Sequence, residues 1–266
     1  MRFSNLHTHS TFSDGRDTPR EIARVAHEKN FLSLGFSDHS YTPVDPSYCM
    51  TPERYPAYFR ALHDLKEEYR GRMDILCGLE LDFFSDCARE NYDHIIGSVH
   101  YLCAGGRCYP IDHSRQQQLD YIDEICHGDR VGLARRYFDT VVMHCEKNRP
   151  DIIGHFDVIT KFGLFDNAPD AYCRAAEEAL RAALAICPRV EVNTGAIGNG
   201  LRTVPYPADF LLRVILQAGG EVLLGADAHR AERLDCAFPA TLDRLRSIGF
   251  DHIVYRDAAG FHRQAI

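Results

Sequence analysis

The sequence lacks several features that would restrict its function at once. Its 266 residues contain no apolar run near the ~20 residues that span a bilayer, and the N-terminal MRFSNLHTHS lacks the charged-then-apolar order of a signal peptide. Acidic residues outnumber basic ones, 38 to 30, and the formal charge of −8 opposes non-specific binding to nucleic acid or anionic lipid. We therefore expect a cytoplasmic protein that acts on a small molecule, with no nucleic-acid or membrane partner. No pattern indicates an oligomeric state.

Paired cysteine motifs are also absent. The ten cysteines include no CxxC pair, and the nearest approach to one is Cys103 with Cys108. A chain with 45% hydrophobic residues can build a core that needs no covalent crosslinks, and free cysteine packs as a small hydrophobic residue. We therefore expect reduced, mostly buried thiols rather than a disulfide framework or a thiolate metal site.

Short apolar runs alternate with helix-like segments, and no repeat, low-complexity tract or linker interrupts this order. Strands are predicted at 2–6, 32–37, 74–79, 94–99, 151–154, 189–193 and 221–226, and an eighth can be placed at 252–257. Helices are predicted at 19–29, from about Pro56 to 70, twice within 114–148, and at 169–187, 207–218 and 239–248. Strands this apolar are typical of a parallel sheet that is covered on both faces.

Nine imidazole and carboxylate side chains lie at or just beyond the ends of these strands. They are His7, His9, Asp14, His39, Glu80, His100, His155, Asp227 and His229. Such groups bind borderline and hard divalent cations, and nine are more than one ion needs. In a closed β/α barrel all carboxyl-terminal strand ends surround one mouth, whereas an open doubly wound sheet keeps its outer strands apart. The pattern therefore predicts a multinuclear metalloenzyme, built as a single-domain β/α barrel over residues 1–266.

The local context of some acids leaves alternatives open. Asp14 precedes a glycine, so it could serve turn geometry alone. Asp38 could bind an ion or orient the neighbouring His39. Glu191 lies inside the sixth strand, where it could support a ligand from behind or pair with a buried base. The other eight histidines are mostly interpreted as solvated surface residues.

The ordered strings HTHS…DG, SDH, GLE, GSVH, GHFD, EVNTG and GADAH resemble those of the polymerase and histidinol phosphatase (PHP) superfamily of metal-dependent phosphoesterases. The resemblance covers residues 3 to about 230. It implies a distorted seven-stranded β/α barrel with three divalent ions, which could be zinc, manganese or iron. By the same resemblance, one ion is held by His7, His9, Glu80 and Asp227. A second shares Glu80 with His100 and His155, and a third uses Asp14, His39 and His229.

Within this superfamily the chain is most similar to the stand-alone histidinol-phosphate phosphatase branch, which acts on L-histidinol phosphate in histidine biosynthesis. That branch often carries two arginines that hold the phosphate. Here Lys161 stands at the first position, while Gly195 stands at the second and Arg202 is the nearest substitute.

The expected reaction is attack on phosphorus by a metal-activated hydroxide, with Asp227 or His229 passing a proton to the departing alkoxide. Two other functions stay open: a phosphodiesterase or exonuclease acting on nucleic acid or nucleotides, and a non-catalytic metal-binding protein.

Overall fold

Parallel strands form the centre of the computed structural model, which describes residues 2–165 and 169–266. In chain order the strands are β1 (Ser4–Asn5), β2 (Ser33–Phe36), β3 (Asp74–Asp82), β4 (His94–Ser98), β5 (Tyr101–Ala104), β6 (Arg107–Pro110), β7 (Ile152–Ile153), β8 (Arg189–Asn193), β9 (Glu221–Gly225), β10 (His252–Asp257) and β11 (Gly260–Ala265). Seven of them pair in the parallel order β1-β2-β3-β4-β7-β8-β9. These seven are the strands predicted from the apolar runs.

The two outer strands of this sheet meet and close it into a barrel. A parallel bridge joins Thr8 to Ala228, with hydrogen bonds from the His9 amide to the Ala228 carbonyl (2.9 Å) and from the Ala228 amide to the His7 carbonyl (3.2 Å). The Asn5 side chain adds a hydrogen bond from the Ala226 amide (3.2 Å). The predicted distorted (β/α)7 barrel is therefore confirmed.

Helices cover the outside of the barrel close to their predicted positions. They are α1 (Pro19–Glu28), α2 (Tyr55–Tyr69), α3 (Arg115–Glu124), α4 (Arg130–Asn148), α5 (Asp170–Leu184), α6 (Gly195–Gly198), α7 (Asp209–Gln217) and α8 (Phe238–Ile248). Of these, the short α6, which directly follows β8, has no counterpart in the prediction. Helix α1 begins with a complete capping box between Thr18 and Glu21, which satisfies amides that would otherwise lack partners. Among the described residues, no helix combines the length and the apolar character needed to span a bilayer.

The segment 252–257 is a strand, as placed from the sequence, but it lies outside the barrel sheet. β10 pairs antiparallel with β11, and Val254 and Phe261 pack against an apolar layer inside the barrel that includes Leu6 and Ile96. The Ala258 amide donates to Asp74 at the start of β3 (3.0 Å). This hairpin therefore covers the amino-terminal ends of the strands and leaves the carboxyl-terminal mouth free.

A second hairpin was missed, and with it a disulfide bond. β5 and β6 pair antiparallel around Gly105 and Gly106, which places Cys103 directly opposite Cys108 with their Cα atoms 4.0 Å apart. The prediction of reduced thiols is wrong for these two cysteines, because the short turn brings them face to face. The other eight cysteines are free.

Two histidines interpreted as surface residues are buried instead. The His94 ring lies inside the barrel against Gly35 and Gly78, where a Cβ atom would come within 2.6 and 2.2 Å of it, and its Nε2 atom contacts the Leu6 carbonyl oxygen (3.0 Å). His144 on α4 is also buried, with Nε2 2.7 Å from the Leu81 carbonyl oxygen. A backbone carbonyl pairs with one nitrogen of each ring, and Asn148 pairs with the other nitrogen of His144 (2.9 Å), whereas His94 Nδ1 has no partner among the described residues.

Candidate metal centre

Glu80 lies at the centre of the predicted ligands, at the carboxyl-terminal half of β3. Its Oε2 atom lies 2.8 to 3.4 Å from one ring nitrogen in each of His7, His9 and His39. Its Oε1 atom lies 3.0 Å from His155 Nε2 and 3.4 Å from His100 Nε2. A carboxylate with both oxygens directed at different imidazoles has the geometry of a bridging ligand.

Asp14 and His229 extend the cluster towards the solvent. Asp14 Oδ2 lies 3.2 Å from His229 Nε2, and Asp14 Oδ1 lies 3.7 Å from His39 Nε2. Together with His9, these residues offer four ligand atoms that all lie within 4.8 Å of one another. Asp14 therefore does more than complete a turn.

Asp227 completes the set from the end of β9. Its Oδ1 atom lies 3.1 Å from His9 Nε2 and 3.5 Å from His7 Nε2, and its backbone adopts a positive φ of 47° that few residues other than glycine favour. A Cβ atom at Gly195 would come within 2.9 Å of the Asp227 side chain. This close approach explains why a glycine occupies the position at which a basic residue was expected.

The electrostatics of the cluster suit cation binding. Burial raises the pKa of Glu80, but His39, His7 and His100 outweigh it and hold the pKa well below its usual value, so the carboxylate stays ionised. Burial, with His229 and His39 nearby, lowers the pKa of His9 to about 3. Burial also lowers the pKa of His7 and His100, but Glu191 and Glu80 outweigh it at His7, and Glu80 and Asp82 outweigh it at His100, so both pKa values stand well above the usual one. Neutral imidazoles and ionised carboxylates are the forms that bind metal, so a bound cation would take the place of the protons on these two rings.

Several ligand atoms lack any hydrogen-bond partner among the described residues. They are His7 Nε2, both ring nitrogens of His9 and Glu80 Oε2. Buried polar atoms without partners cost free energy, and so many in one place are expected where a cation supplies the missing interaction. The residues therefore fit divalent metal ions.

Behind the ligands, two acids orient the imidazoles. Glu191 Oε1 lies 2.6 Å from His7 Nδ1, while its Oε2 atom accepts hydrogen bonds from the His155 amide (3.0 Å) and the Asn193 side chain (2.9 Å). These contacts fit both roles left open for Glu191, since it supports His7 from behind and is paired with a buried imidazole. Asp82 was not anticipated, and its Oδ2 atom lies 3.4 Å from His100 Nδ1. Such partners fix which ring nitrogen is free to bind metal.

Asp38 shapes the turn that carries Asp14. Its carboxylate accepts hydrogen bonds from the amides and hydroxyls of Ser10 and Ser13, at 2.6 to 3.0 Å. These contacts hold the turn and do not involve the His39 ring, so Asp38 positions the turn of Asp14, which is neither of the two roles left open for it.

The two predicted phosphate-binding residues occupy different places. Lys161 lines the cavity of about 630 Å³ above the cluster. The Arg202 guanidinium instead donates to the Thr160 hydroxyl (2.6 Å) and carbonyl (3.2 Å) and lies outside the set of cavity-lining residues. Contact between Arg202 and phosphate therefore stays a prediction.

Other cavity-lining residues were not singled out from the sequence. They include Arg16, Arg230, Arg233, Asp112 and Tyr48. For two of these residues the sequence offers a signal that they lie near the site. Arg16 follows the DG turn of Asp14, and Arg230 directly follows His229 of the GADAH string. A residue adjacent to a ligand on the same loop is well placed to reach the cavity.

A β/α barrel with imidazoles and carboxylates collected at its mouth defines the class of metal-dependent hydrolases. Residues 5–195 match the family model of the PHP domain, and the chain belongs to this family.

The relatives cover nearly the whole chain. A probable histidinol-phosphatase of Deinococcus radiodurans is 30% identical over 95% of each chain, and the histidinol-phosphatase of Bacillus subtilis is 24% identical over 91% of this chain and 98% of its own. The crystal structure of histidinol phosphate phosphatase from Lactococcus lactis, complexed with zinc, L-histidinol and phosphate, superimposes with a TM-score of 0.74 at 21% identity, covering 98% of this chain and 99% of that one. This structural likeness shows the shared fold.

Proposed function

We propose that this chain is a metal-dependent histidinol-phosphatase, which hydrolyses L-histidinol phosphate to L-histidinol and phosphate. The observation that carries the proposal is the convergence of six imidazoles and two further carboxylates around Glu80 at the mouth of the barrel. The histidinol-phosphatase relatives, aligned over nearly the full length, support the substrate.

We assign three divalent ions to the nine ligands, in the groups that the family resemblance implies. The zinc in the Lactococcus lactis structure supports zinc as one candidate, beside manganese and iron. Ions bound here would lower the pKa of a water molecule to about 7 and offset negative charge on the phosphoryl oxygens.

Positive side chains in the cavity wall suit the phosphate group. Lys161, Arg16 and Arg230 all line the cavity, and their charges complement phosphoryl oxygens. We assign Lys161 to phosphate binding, as the sequence predicted.

The proton for the departing alkoxide is assigned to Asp227 or His229, the two groups that the sequence predicted. The Nδ1 atom of His229 lies 3.0 Å from the Asp227 carbonyl oxygen, so in the donating tautomer its proton is held there. Its other nitrogen, Nε2, faces Asp14. Burial lowers the pKa of His229, but the hydrogen bond to Asp14 and the charge of Asp227 outweigh it and raise the pKa to about 9. The pKa of Asp227 is held well below its usual value, so in the metal-free protein the imidazole rather than the Asp227 carboxylate holds a proton.

The test is phosphate release from a panel of phosphomonoesters, single-stranded DNA and a dinucleotide, with metal content quantified in the same preparation. We expect turnover of L-histidinol phosphate to exceed that of every other compound. The matched variants are His7→Ala, which should lose metal and turnover, and His63→Ala on the exposed face of α2, which should retain both. Preferential cleavage of the nucleic acid would overturn the proposal in favour of a nuclease, and no turnover by metal-loaded protein would favour a binding protein.

A further inference from the structure

The arginines and Asp112 stand on opposite sides of the cavity wall. Arg16 follows β1 and Arg230 and Arg233 follow β9, and these two strands are neighbours where the barrel closes. Asp112 follows the β5–β6 hairpin, which extends from β4, three strands from both β1 and β9 in the sheet order. A ligand in this cavity therefore meets three arginines on one side and, on the other, Asp112 with Lys161 beside it.

Asp112 is firmly placed but weakly paired. The Ile111 amide donates to the His100 carbonyl (2.9 Å), which fixes the backbone beside a metal ligand. Among the described residues the carboxylate has one cationic contact, Lys161 Nζ at 3.5 Å, which is the upper limit for a hydrogen bond. About a quarter of its side chain (24%) is exposed, and it lines the cavity. Its carboxylate therefore retains unused acceptor capacity that faces the cavity.

The neighbouring acid Asp45, unlike Asp112, uses both carboxylate oxygens in hydrogen bonds within the protein. Its Oδ1 atom accepts from the Ser47 amide and hydroxyl, and its Oδ2 atom accepts from the Tyr101 hydroxyl at 2.7 Å. Asp45 thus organises the loop after β2, and Asp112 is the acid on this side that remains available to a ligand.

Two tyrosines stand on the same side as Asp112. The rings of Tyr48 and Tyr101 are stacked 6.4 Å apart with an interplanar angle of 16°, and Tyr48 also packs edge-on against His39 (4.8 Å). The Tyr48 hydroxyl is buried without a partner among the described residues. Aromatic faces and a phenolic oxygen both favour a cation over an anion.

We propose that Asp112, supported by Tyr48, is a specificity-determining residue that binds the ammonium group of the substrate, and so selects phosphomonoesters that carry an amine on the leaving group. The inference rests on the proposed function and deepens it. A carboxylate in a phosphatase cavity repels the phosphate, and this repulsion is offset when the same ligand brings a cation to the carboxylate.

The test compares two substrates that differ only in the amine. They are L-histidinol phosphate and its deamino analogue, 3-(imidazol-4-yl)propyl phosphate. In Asp112→Asn we expect kcat/KM for L-histidinol phosphate to fall about tenfold or more. We expect kcat/KM for the deamino analogue to stay within about twofold of the wild-type value. Tyr48→Phe should also lower kcat/KM for L-histidinol phosphate relative to kcat/KM for the deamino analogue, but by a smaller factor. Asp86→Asn, on an almost fully exposed acid outside the cavity, is the matched control.

The outcomes separate this inference from the proposed function. An equal loss for both substrates in Asp112→Asn would overturn the inference, since it would mean that Asp112 only positions Lys161 for phosphate. Loss of bound metal in that variant would overturn it too, because Asp112 would then support the metal centre. Unchanged kinetics would also refute it. If wild-type protein hydrolyses neither compound, the proposed function itself has failed.

Discussion

Glu191 controls the metal centre from a position that touches no solvent. It contacts His7 Nδ1 through one oxygen and accepts two hydrogen bonds through the other. The glycine at 225 is required because a Cβ atom there would lie 1.8 Å from Glu191 Oε1. The acid and the glycine together direct His7 Nε2 towards Glu80.

We predict that Glu191→Gln weakens metal binding by roughly 10- to 100-fold. The amide keeps one acceptor oxygen, but its NH2 group would face the donors of His155 and Asn193. Titration with zinc, followed by metal analysis after dialysis, measures the effect. Glu177→Gln, on the exposed i,i+4 pair with Arg181, is the control and should bind metal normally. Wild-type affinity in Glu191→Gln would contradict the role given to this acid.

His94 should make the stability of the protein depend on pH. Burial lowers its pKa from 6.5 to about 4, so the folded state requires the neutral ring. Its contribution to stability is complete above pH 6.5 and is lost as the pH falls towards 4, by at most about 3 kcal/mol.

Denaturant unfolding of metal-free protein at several pH values in this window tests the His94 prediction. We expect the free energy of unfolding to fall less steeply with decreasing pH in His94→Gln than in the wild type. The same slope in both proteins would show that other groups dominate. His63→Gln, at an exposed site, should leave the slope unchanged.

At the scale of elements, the turn between β1 and α1 depends on one carboxylate from the segment after β2. Asp38 gathers the amides and hydroxyls of Ser10 and Ser13, and a Cβ atom at Gly15 would lie 2.3 Å from the His9 carbonyl oxygen. The turn is therefore tight, and Asp14 is presented to His229 from it.

In Asp38→Asn we expect this turn to loosen, because the amide group cannot accept all of these hydrogen bonds. Stability should fall by about 1–3 kcal/mol, and the bound metal per chain should decrease while part of it is retained. Thermal unfolding and elemental analysis measure the two effects. Asp129→Asn, at the N-cap of α4 where either residue caps well, is the comparison. A variant with full metal content would argue against a role for this turn in ion binding.

The elements differ in how well the sequence predicts them. The seven barrel strands and the capped helix α1 follow from local patterns, since apolar runs and an N-cap act through neighbouring residues. The β5–β6 hairpin escaped prediction because Cys103 in its first strand is exposed and its residues follow no clear alternation. Pairing of this kind depends on the turn at Gly105 and on the partner strand.

At the scale of the molecule, bound ions should stabilise the barrel as well as activate water. The ligands come from both ends of the chain, so an ion crosslinks β1 to β9 beside the Thr8–Ala228 bridge. Metal that is present at 100 times its Kd adds about 2.7 kcal/mol to the stability of the folded state.

Removal of metal with a chelator should therefore abolish phosphate release and lower the thermal unfolding midpoint, and zinc or manganese should restore both. Activity and differential scanning calorimetry on the same samples measure this. Full activity in protein shown to be metal-free would be incompatible with the proposed chemistry.

Much of this protein was determined by its sequence alone. The parallel barrel, the nine candidate ligands at the strand ends and the metal-dependent class all follow from residue types placed at the ends of apolar strands. That information is local, because strand periodicity and the common direction of parallel strands bring such residues to one edge.

Only the tertiary structure decided which imidazoles contact Glu80. It also decided that Arg202 binds Thr160 while Lys161 faces the cavity. The burial of His94 and His144 likewise became visible only there. The tertiary structure also placed Asp112 opposite the arginines. These outcomes depend on contacts between segments that are distant in the chain. The direction of a side chain and the water around it are set by packing, which local sequence patterns do not encode.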